Sequence, residues 1–255
     1  MILDLESMLT RLKLTTIRDR LDSLLDTASK KEMNLRETIY FLCEQEIEHK
    51  ENKRMQMGIA MSKFPYVRTL DQFDFTAQPS IDKGQMRDLS NCRWIGNGDS
   101  VLLLGPPGVG KTHLATALGR EAINQGYSVL FISAVALVTQ LSKSHQEGKL
   151  EEKIGQYSKA KLLIIDELGY LPFESKAAHL FFQLVSRRYE KGSILVTSNR
   201  SVGEWGEVFS DHVVATAILD RLLHHSHIIT IRGESYRLKE KRKSGLIKSV
   251  INKEV

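Results

Sequence analysis

Eight consecutive residues of this 255-residue chain combine three glycines, a lysine and a threonine at a fixed spacing. They read GPPGVGKT and fit the pattern G-x-x-x-x-G-K-[ST], between an apolar strand-like run and a helix-like run. Glycines let backbone N–H groups curve around phosphate oxygens, and the following helix directs its positive end at them. The pattern predicts that Lys111 holds the β- and γ-phosphates of a nucleoside triphosphate and that the Thr112 hydroxyl binds Mg²⁺. The predicted phosphate loop consists of Gly105, Pro106, Pro107, Gly108, Val109, Gly110, Lys111 and Thr112.

Two adjacent carboxylates end a second apolar run, LLIIDE, at residues 162–167. Polar ligands collect at the carboxyl edge of parallel strands, so these acids are expected beside the phosphate loop. We expect Asp166 to complete the Mg²⁺ shell with Thr112, and Glu167 to orient or deprotonate an attacking water. A carboxylate that polarises water favours hydrolysis of the nucleotide over transfer of its phosphate to a second small substrate.

A polar amide follows the next apolar run, which ends in TSN. Asn199 is therefore expected at the same edge of the sheet, where a side-chain amide can hold the water and sense the γ-phosphate. The alternative interpretation is an ordinary turn residue, because Asn is common in turns.

These residues need a scaffold, and the second part of the chain alternates strand-like and helix-like segments. Nearly continuous apolar strands separated by amphipathic helices predict a parallel five-stranded sheet covered on both faces, which is a three-layer α/β fold. The predicted strands are 100–105, 127–133, 160–166, 192–198 and 226–231, and the predicted helices lie near 111–125, 134–143, 149–158, 174–190 and 211–224.

The first 60 or so residues read as helices with an apolar stripe at spacings of three and four. Neither Gly nor Pro occurs before Gly58, which favours uninterrupted helices. Asn34 and Glu37 have the spacing of a reciprocal cap that begins a new helix. We predict an N-terminal helical domain at 1–62, for oligomerisation or contact with DNA or a partner. A linker at 63–79, a nucleotide-binding domain at 80–240 and a basic tail at 241–255 follow.

Composition is that of a soluble cytoplasmic protein. Hydrophobic residues make up 42% and charged residues 26%, and no apolar run reaches the length of a membrane span. Cys43 and Cys92 lack metal-site spacing and fit a reduced compartment. The excess positive charge lies in residues 232–255, where eight Lys or Arg stand against three Glu. Such a tail is either a solvated extension or a contact for a phosphate backbone.

The motifs together resemble those of the AAA+ ATPases, whose phosphate loop, DE pair, strand-end Asn and later Arg occur here in the same order. Within that family the chain resembles the branch of the helicase loader DnaC and the transposition helper IstB. The resemblance spans essentially the whole chain and is strongest to the IstB-like helper ATPases of insertion sequences. It is carried by LDQFDF, GPPGVGKTHLA, LLIIDELGYLPF, TSN, and DRLLHHSHIITIRGESYR.

The resemblance implies that the nucleotide lies between two subunits and that Arg221 is supplied to the neighbouring subunit's γ-phosphate. From the residues alone, Arg221 on an amphipathic helix beside Asp220 is more typical of a surface ion pair. Arg187 and Arg188 are reserve candidates for the same role. Arg237 in GESYR resembles a second sensor of the nucleotide, although contact of the tail with DNA or a partner competes with that interpretation.

DNA contacts are expected on one of two surfaces. A lysine-rich segment follows the second strand, and the equivalent region of the family tends to face bound DNA; alternating Lys and Glu is equally typical of a solvated helix face. No interleaving of aromatic residues with these cations marks a base-stacking platform, which favours duplex backbone contact over stacking on single strands. The candidate residues are Lys50, Lys53 and Arg54 in the N-terminal helices, and Lys143, Lys149, Lys153 and Lys159 in the later segment.

The leading hypothesis from sequence is an ATP- and Mg²⁺-dependent helper of DNA transposition. It forms homo-oligomers on duplex DNA and delivers that DNA to a partner transposase. The alternative is a DnaC-like loader of a replicative helicase, which would use the same ATPase core. A small-molecule P-loop kinase would need an acceptor pocket and an arginine-bearing lid, neither of which the sequence indicates.

Overall fold

The computed structural model describes residues 2–236 together with Leu238 and Lys239. The chain divides between Met57 and Gly58 into two compact units. The first unit contains α1 (Ile2–Arg11), α2 (Thr15–Lys30) and most of α3 (Leu35–Ser62). None of the described helices is both long and apolar enough to cross a membrane.

Two helices of the first unit end on left-handed residues that are not glycine. Lys13 has φ 57° and Glu32 has φ 52°. After α1, the Leu14 N–H donates to the Leu9 carbonyl at 2.9 Å and the Lys13 N–H to the Thr10 carbonyl at 3.0 Å. This pair of bonds is the Schellman arrangement that closes a helix end. The expectation of uninterrupted helices is therefore wrong at Lys13, since a non-glycine residue occupies the conformation that Gly usually takes.

The start of α3 confirms the predicted reciprocal cap. The Glu37 N–H donates to Asn34 Oδ1 at 3.0 Å, and the Asn34 N–H donates to Glu37 Oε2 at 2.9 Å. Both groups are N-terminal donors that the helix itself cannot satisfy.

The start of α2 is capped from a distance by Glu46 of α3. Glu46 is only 2% exposed, and its Oε2 accepts from the Thr16 N–H at 2.7 Å and the Ile17 N–H at 2.9 Å. Burial opposes ionisation of Glu46, but the Ile17 and Thr16 donors and the Lys50 ammonium outweigh it and lower the pKa of this carboxyl. One carboxylate thus joins the N-terminus of α2 to α3.

Glu46→Ala should destabilise the first unit by about 2 kcal/mol, because two buried N–H donors lose their acceptor. In hydrogen exchange, protection of the Thr16 and Ile17 amides should fall, while Glu48→Ala, at an exposed position of the same helix, should leave it unchanged. Since the folded pKa is lowered, Glu46 stabilises the wild-type unit above its ordinary pKa. This stabilisation should disappear as pH falls through the folded value. Equal protection in both variants at neutral pH would contradict this role.

The second unit has a five-stranded parallel sheet in the order β2-β3-β4-β1-β5. All five strands lie where the sequence predicts them, because each is an apolar run bounded by turn residues. The central strands are almost wholly buried and the edge strand β5 is largely exposed. The strands are β1 (Ser100–Leu104), β2 (Val129–Ser133), β3 (Leu162–Leu168), β4 (Ser193–Ser198) and β5 (Ser226–Thr230).

The helices of the second unit connect these strands. The five predicted helices match α6 to α9 and α11 within a few residues, while the short helices α4, α5 and α10 were not predicted. Their bounds are α4 (Lys83–Ser90), α5 (Arg93–Asn97), α6 (Lys111–Asn124), α7 (Ala134–Gln146), α8 (Leu150–Ser158), α9 (Ser175–Arg188), α10 (Trp205–Phe209) and α11 (His212–Leu223).

Arg188, at the end of α9, is buried and 1% exposed. Its guanidinium donates to the carbonyls of Tyr157 at 2.7 Å and Ala160 at 2.9 Å, at the C-terminus of α8, and to that of Ser193 at 2.8 Å. Burial lowers the pKa of Arg188 to about 10, which leaves it charged at neutral pH. The structure therefore excludes Arg188 as an arginine offered to another subunit, because its donors hold α8, α9 and β4 together.

Arg188→Met should lower the free energy of unfolding by about 3 kcal/mol or more, because several buried carbonyls lose their donor at once. Arg187→Met is the matched control, since the Arg187 side chain is 58% exposed. Urea unfolding followed by tryptophan fluorescence compares the two variants. A loss for Arg188→Met no greater than that for Arg187→Met would refute the structural role.

Candidate nucleotide site

The phosphate loop joins β1 to α6 and has little room for side chains. Gly110 has φ +102°, and a Cβ built there would lie 2.6 Å from the Phe73 ring. Gly108 has φ +83°, and a Cβ there would lie 2.1 Å from Ser235 Oγ. Both positions thus need glycine for the backbone conformation and for the close approach of a second segment. The loop is enclosed between residues far before and far after it in the chain.

Lys111 begins α6 and turns its ammonium group into the loop. Its Nζ donates to the Gly105 carbonyl at 2.6 Å and the Pro106 carbonyl at 2.8 Å, and the residue is 7% exposed. The structure therefore places a buried positive charge inside the loop, where phosphate groups are predicted to bind.

Thr112 and Asp166 meet although they belong to different elements. Thr112 Oγ1 lies 3.0 Å from Asp166 Oδ1 and 3.1 Å from Oδ2. Thr197, on the intervening strand β4, donates from its hydroxyl to Asp166 Oδ1 at 2.5 Å. Burial raises the pKa of Asp166, while the Thr197 and Thr112 hydroxyls and the Lys111 charge partly oppose that rise. Hydroxyl and carboxylate oxygens are the ligands Mg²⁺ prefers, so this pair fits the metal predicted for it.

Glu167 adopts a left-handed backbone conformation with φ 63°. The register between β3 and β4 shifts between Ile165 and Leu168, so Glu167 lies in a bulge. Its N–H donates to Thr197 Oγ1 at 2.9 Å, and its side chain is exposed at the site. The bulge lets Asp166 remain buried while the adjacent carboxylate reaches the open cavity.

Asn199 directly follows β4 and is half-buried. In the described part of the chain, its Oδ1 is buried and has no hydrogen-bond partner. An amide oxygen can accept a hydrogen bond from a water, but this oxygen has almost no accessible surface in the structure. Among the described residues that line the cavity, Asn199 does not occur.

The cavity at the loop has a volume of about 450 Å³, which is within the range of small-ligand sites. It brings the predicted residues Lys111, Thr112 and Glu167 together with residues that sequence reasoning missed. Most of them lie in the predicted linker, in the loop after β3 or near the C-terminal end of the described chain; His113 is on α6 and Thr197 on β4. The missed lining residues are Tyr66, Arg68, Gln72, Phe73, Asp74, Gln78, His113, Tyr170, Thr197 and Tyr236.

The predicted linker has no helix or strand of its own between Lys63 and Asp82, but it packs on the phosphate loop. The Thr69 carbonyl lies 2.9 Å from His113 Nε2, and the Phe73 ring stands edge-on to the His113 ring at 5.2 Å. The run LDQFDF is the one sequence signal for this packing, and by itself it indicates a resemblance to the family and no particular contact. Aromatic residues beside a turn could equally have been an ordinary packing contact.

Arg221 lies on α11, outside the cavity lining among the described residues. Its guanidinium lies 4.6 Å from the Phe182 ring centroid, and its Nη1 donates to the Ala217 carbonyl at 3.2 Å. This arrangement holds the arginine against its own subunit's surface. Arg237 and the tail at 241–255 lie outside the described residues.

The later lysines lie on the consecutive helices α7 and α8. Lys143 is in the last turn of α7, and Lys149 and Lys159 flank α8; all three are exposed. Lys153 lies on α8 with its ammonium 5.3 Å from the Tyr157 ring centroid.

The N-terminal cations lie on α3. Lys50 is 48% exposed, with its Nζ 3.3 Å from Glu46 Oε1, whereas Lys53 and Arg54 are exposed. The structure thus separates the candidate DNA-binding residues into two groups on the two units.

A phosphate loop on this parallel sheet, with its carboxylates two strands away, defines a P-loop nucleotide-binding protein with an AAA+ core. Solved structures agree: that of DnaI superposes with a TM-score of 0.54 at 23% identity, over 65% of this chain and 91% of DnaI. At this identity the likeness establishes the fold alone.

The sequence comparisons are more specific. The model of the IstB-like ATP binding protein family matches residues 7–244, and the chain belongs to this family. It is 50% identical to the ATP-binding protein of insertion sequence IS21 from Pseudomonas aeruginosa, over 96% of this chain and 92% of that protein. It is 49% identical to the ATP-binding protein of insertion sequence IS5376 from Geobacillus stearothermophilus, over 91% and 92%. The family resemblance inferred from the motifs is confirmed.

Thr197→Val should raise the pKa of the Asp166 carboxyl further, because the variant keeps the burial and removes a hydrogen bond to the charged form. Carbon-13 NMR of labelled aspartate carboxyls during a pH titration measures this pKa in the wild-type chain and in the variant. Thr216→Val is a suitable control, since that exposed hydroxyl donates to the His212 carbonyl of its own helix. An Asp166 titration unchanged by Thr197→Val would show that the hydroxyl contributes nothing to ionisation.

Proposed function

We propose that this chain is an ATP-hydrolysing helper of DNA transposition that assembles on duplex DNA and prepares that DNA for a partner transposase. The observation that carries the proposal is the contact between the Thr112 hydroxyl and the buried Asp166 carboxylate beside Lys111. This is the donor set of a Mg²⁺–nucleotide site. The names of the relatives, which are ATP-binding proteins of insertion sequences, support the transposition context.

Within this site the residues have separate roles. The loop N–H groups and Lys111 bind the phosphates, and Thr112 and Asp166 hold Mg²⁺. The metal supplies positive charge that offsets the negative charge of the β- and γ-phosphates. Glu167 accepts a proton from the attacking water, and Asn199, directly after β4, is the residue proposed to orient that water.

Arg221 serves the site of a neighbouring subunit in this proposal. It lies outside the cavity of its own chain, and it is half-buried on α11 with its guanidinium stacked on Phe182. Stacking limits the conformations of the side chain before a partner arrives, which lowers the entropy lost on binding. ATP bound between subunits then makes assembly depend on the γ-phosphate. Loss of the γ-phosphate on hydrolysis removes contacts that are made only in the assembled state.

DNA binding is assigned to the cations of α7–α8 and of α3. The exposed residues Lys143, Lys149 and Lys159, and Lys53 and Arg54 on α3, have room to approach phosphate groups. Contact of this kind needs clustered positive charge and carries little sequence preference.

Light scattering of the protein mixed with duplex DNA tests the proposal. The mass of the complex is compared for the wild-type chain with ATP, the wild-type chain with ADP, and the Lys111→Ala variant with ATP. A large complex should form with ATP and the wild-type chain, and both ADP and Lys111→Ala should leave small species. Lys191→Ala is the matched control: this exposed lysine lies outside the described cavity lining and should leave assembly intact.

Two other outcomes of this experiment would contradict the proposed function. Assembly that ignores both the nucleotide and Lys111 would remove ATP as the switch. A protein that stays small on duplex DNA in every state, but binds a replicative helicase through residues 1–62, would favour a DnaC-like loader instead.

A further inference from the structure

Two connections at the amino edge of the sheet bring a carboxylate and two imidazoles together. Glu190 lies just before β4, and His224 and His225 lie between α11 and β5. All three side chains are exposed, and each offers one ligand atom within 4.8 Å of the other two. Since β4 and β5 run parallel to β1 on its two sides, their first residues share the edge opposite the nucleotide site. The group is therefore distinct from the site at the phosphate loop.

The backbone holds these two connections close to the chain segment that enters β1. The Ser100 N–H donates to the His225 carbonyl at 2.8 Å. On the other side of β1, a Cβ built at Gly98 would lie 3.4 Å from the backbone carbonyl carbon of Glu190. Both connections thus pack on residues 98–100, so the carboxylate and the imidazoles cannot separate far without disturbing the sheet.

A tyrosine hydroxyl orients two of the three groups. The Tyr189 oxygen lies 2.8 Å from His224 Nδ1, and the same hydroxyl interacts with the Glu190 carboxylate. The rings of His224 and His225 are 4.1 Å apart between their centroids. Histidines and carboxylates that ligate a metal are typically fixed by an outer hydrogen-bond partner of this kind.

The chemistry of the three groups selects a class of ion. Two imidazoles and one carboxylate suit divalent transition metals such as Zn²⁺, whereas Mg²⁺ and Ca²⁺ prefer oxygen ligands alone. Bonds of about 2 Å to zinc place tetrahedral ligand atoms about 3.3 Å apart. The three exposed side chains can close the remaining distance by rotation about their χ angles. Three protein ligands then leave one position of the metal for water.

We propose that Glu190, His224 and His225 form a binding site for one divalent transition metal ion, of which Zn²⁺ is the representative. The metal braces the connection before β4 against the end of α11. This site neither shares residues with the proposed nucleotide site nor depends on it. Metal binding stabilises the folded second unit, because the three ligands are held together only in that state.

Titration of the full chain with Co²⁺, a coloured substitute for Zn²⁺, tests the site. The titration is made without nucleotide and with excess Mg²⁺, which competes for oxygen ligands such as Thr112 and Asp166 but not for imidazoles. One Co²⁺ per chain should bind and give the visible absorption of a low-coordinate ion. Excess Zn²⁺, which has a filled d shell, should displace it and abolish the absorption. A wild-type chain that binds no Co²⁺ would overturn the inference.

Single substitutions test the ligand assignment. Glu190→Gln and His225→Asn should each weaken Co²⁺ binding at least tenfold, because each removes one of three ligands. His227→Asn is the matched control, since this exposed histidine lies two residues further along, with its Nε2 3.9 Å from Asp99 Oδ2. Affinity that is unchanged in Glu190→Gln and His225→Asn, or equally reduced in His227→Asn, would contradict the assignment.

A measurement on the wild-type chain does not depend on the folding of any variant. Bound Co²⁺ is paramagnetic, so it should broaden the amide NMR signals of residues 189–191 and 224–226 first. Signals around the exposed His179 should persist at the same Co²⁺ concentration. Broadening that begins at Thr112 and Asp166, or that spreads evenly over the exposed histidines, would mean that Co²⁺ binds elsewhere and would refute the site.

Discussion

The arrangement of the second unit depends on one buried carboxylate. Asp166 ends an apolar strand in the centre of the sheet, where burial opposes its charge. Hydroxyls from two other elements, Thr112 of α6 and Thr197 of β4, approach it, and Lys111 adds a positive charge. The insertion of β4 between β1 and β3 makes this possible, because it places Thr197 between the loop and the acid. A strand order without that insertion would leave the carboxylate without this hydroxyl.

The irregular segments before and after the sheet form the rest of the site. Phe73 from one side and Ser235 from the other reach the glycines of the phosphate loop, and Gln78 contacts the backbone of Glu234. Neither segment could form a cavity alone. The site is thus built by residues distant in sequence, and its shape depends on the glycines that allow close approach.

The sequence predicted the sheet and its loop well because both depend on local patterns. Apolar runs bounded by turns define strands, and GPPGVGKT defines a loop whatever surrounds it. Thr112 and Asp166 were correctly expected to meet, since the ends of parallel strands share an edge. The helix cap formed by Asn34 and Glu37 could be predicted for the same reason, because its two residues are only three positions apart.

Contacts between residues that are far apart in the sequence could not be predicted. Nothing in the sequence distinguishes the buried Arg188 from the exposed Arg187, since only the packed structure places four carbonyls around one of them. The left-handed Lys13 was missed because a lysine carries no signal for that conformation. Gln78 and Phe73 were assigned to a linker because their partners lie elsewhere in the chain.

The backbone at Glu167 has a consequence for how the sequence can change. A left-handed conformation costs an ordinary residue stability, and Gly or Asn relieves most of that cost. Substitutions that remove the carboxylate at this position can therefore yield a chain that is at least as stable. In the proposed function, stability and activity are therefore opposed at Glu167, because selection for folding alone would tend to replace this residue. Selection on the proposed chemistry would then act to keep the glutamate in that bulge.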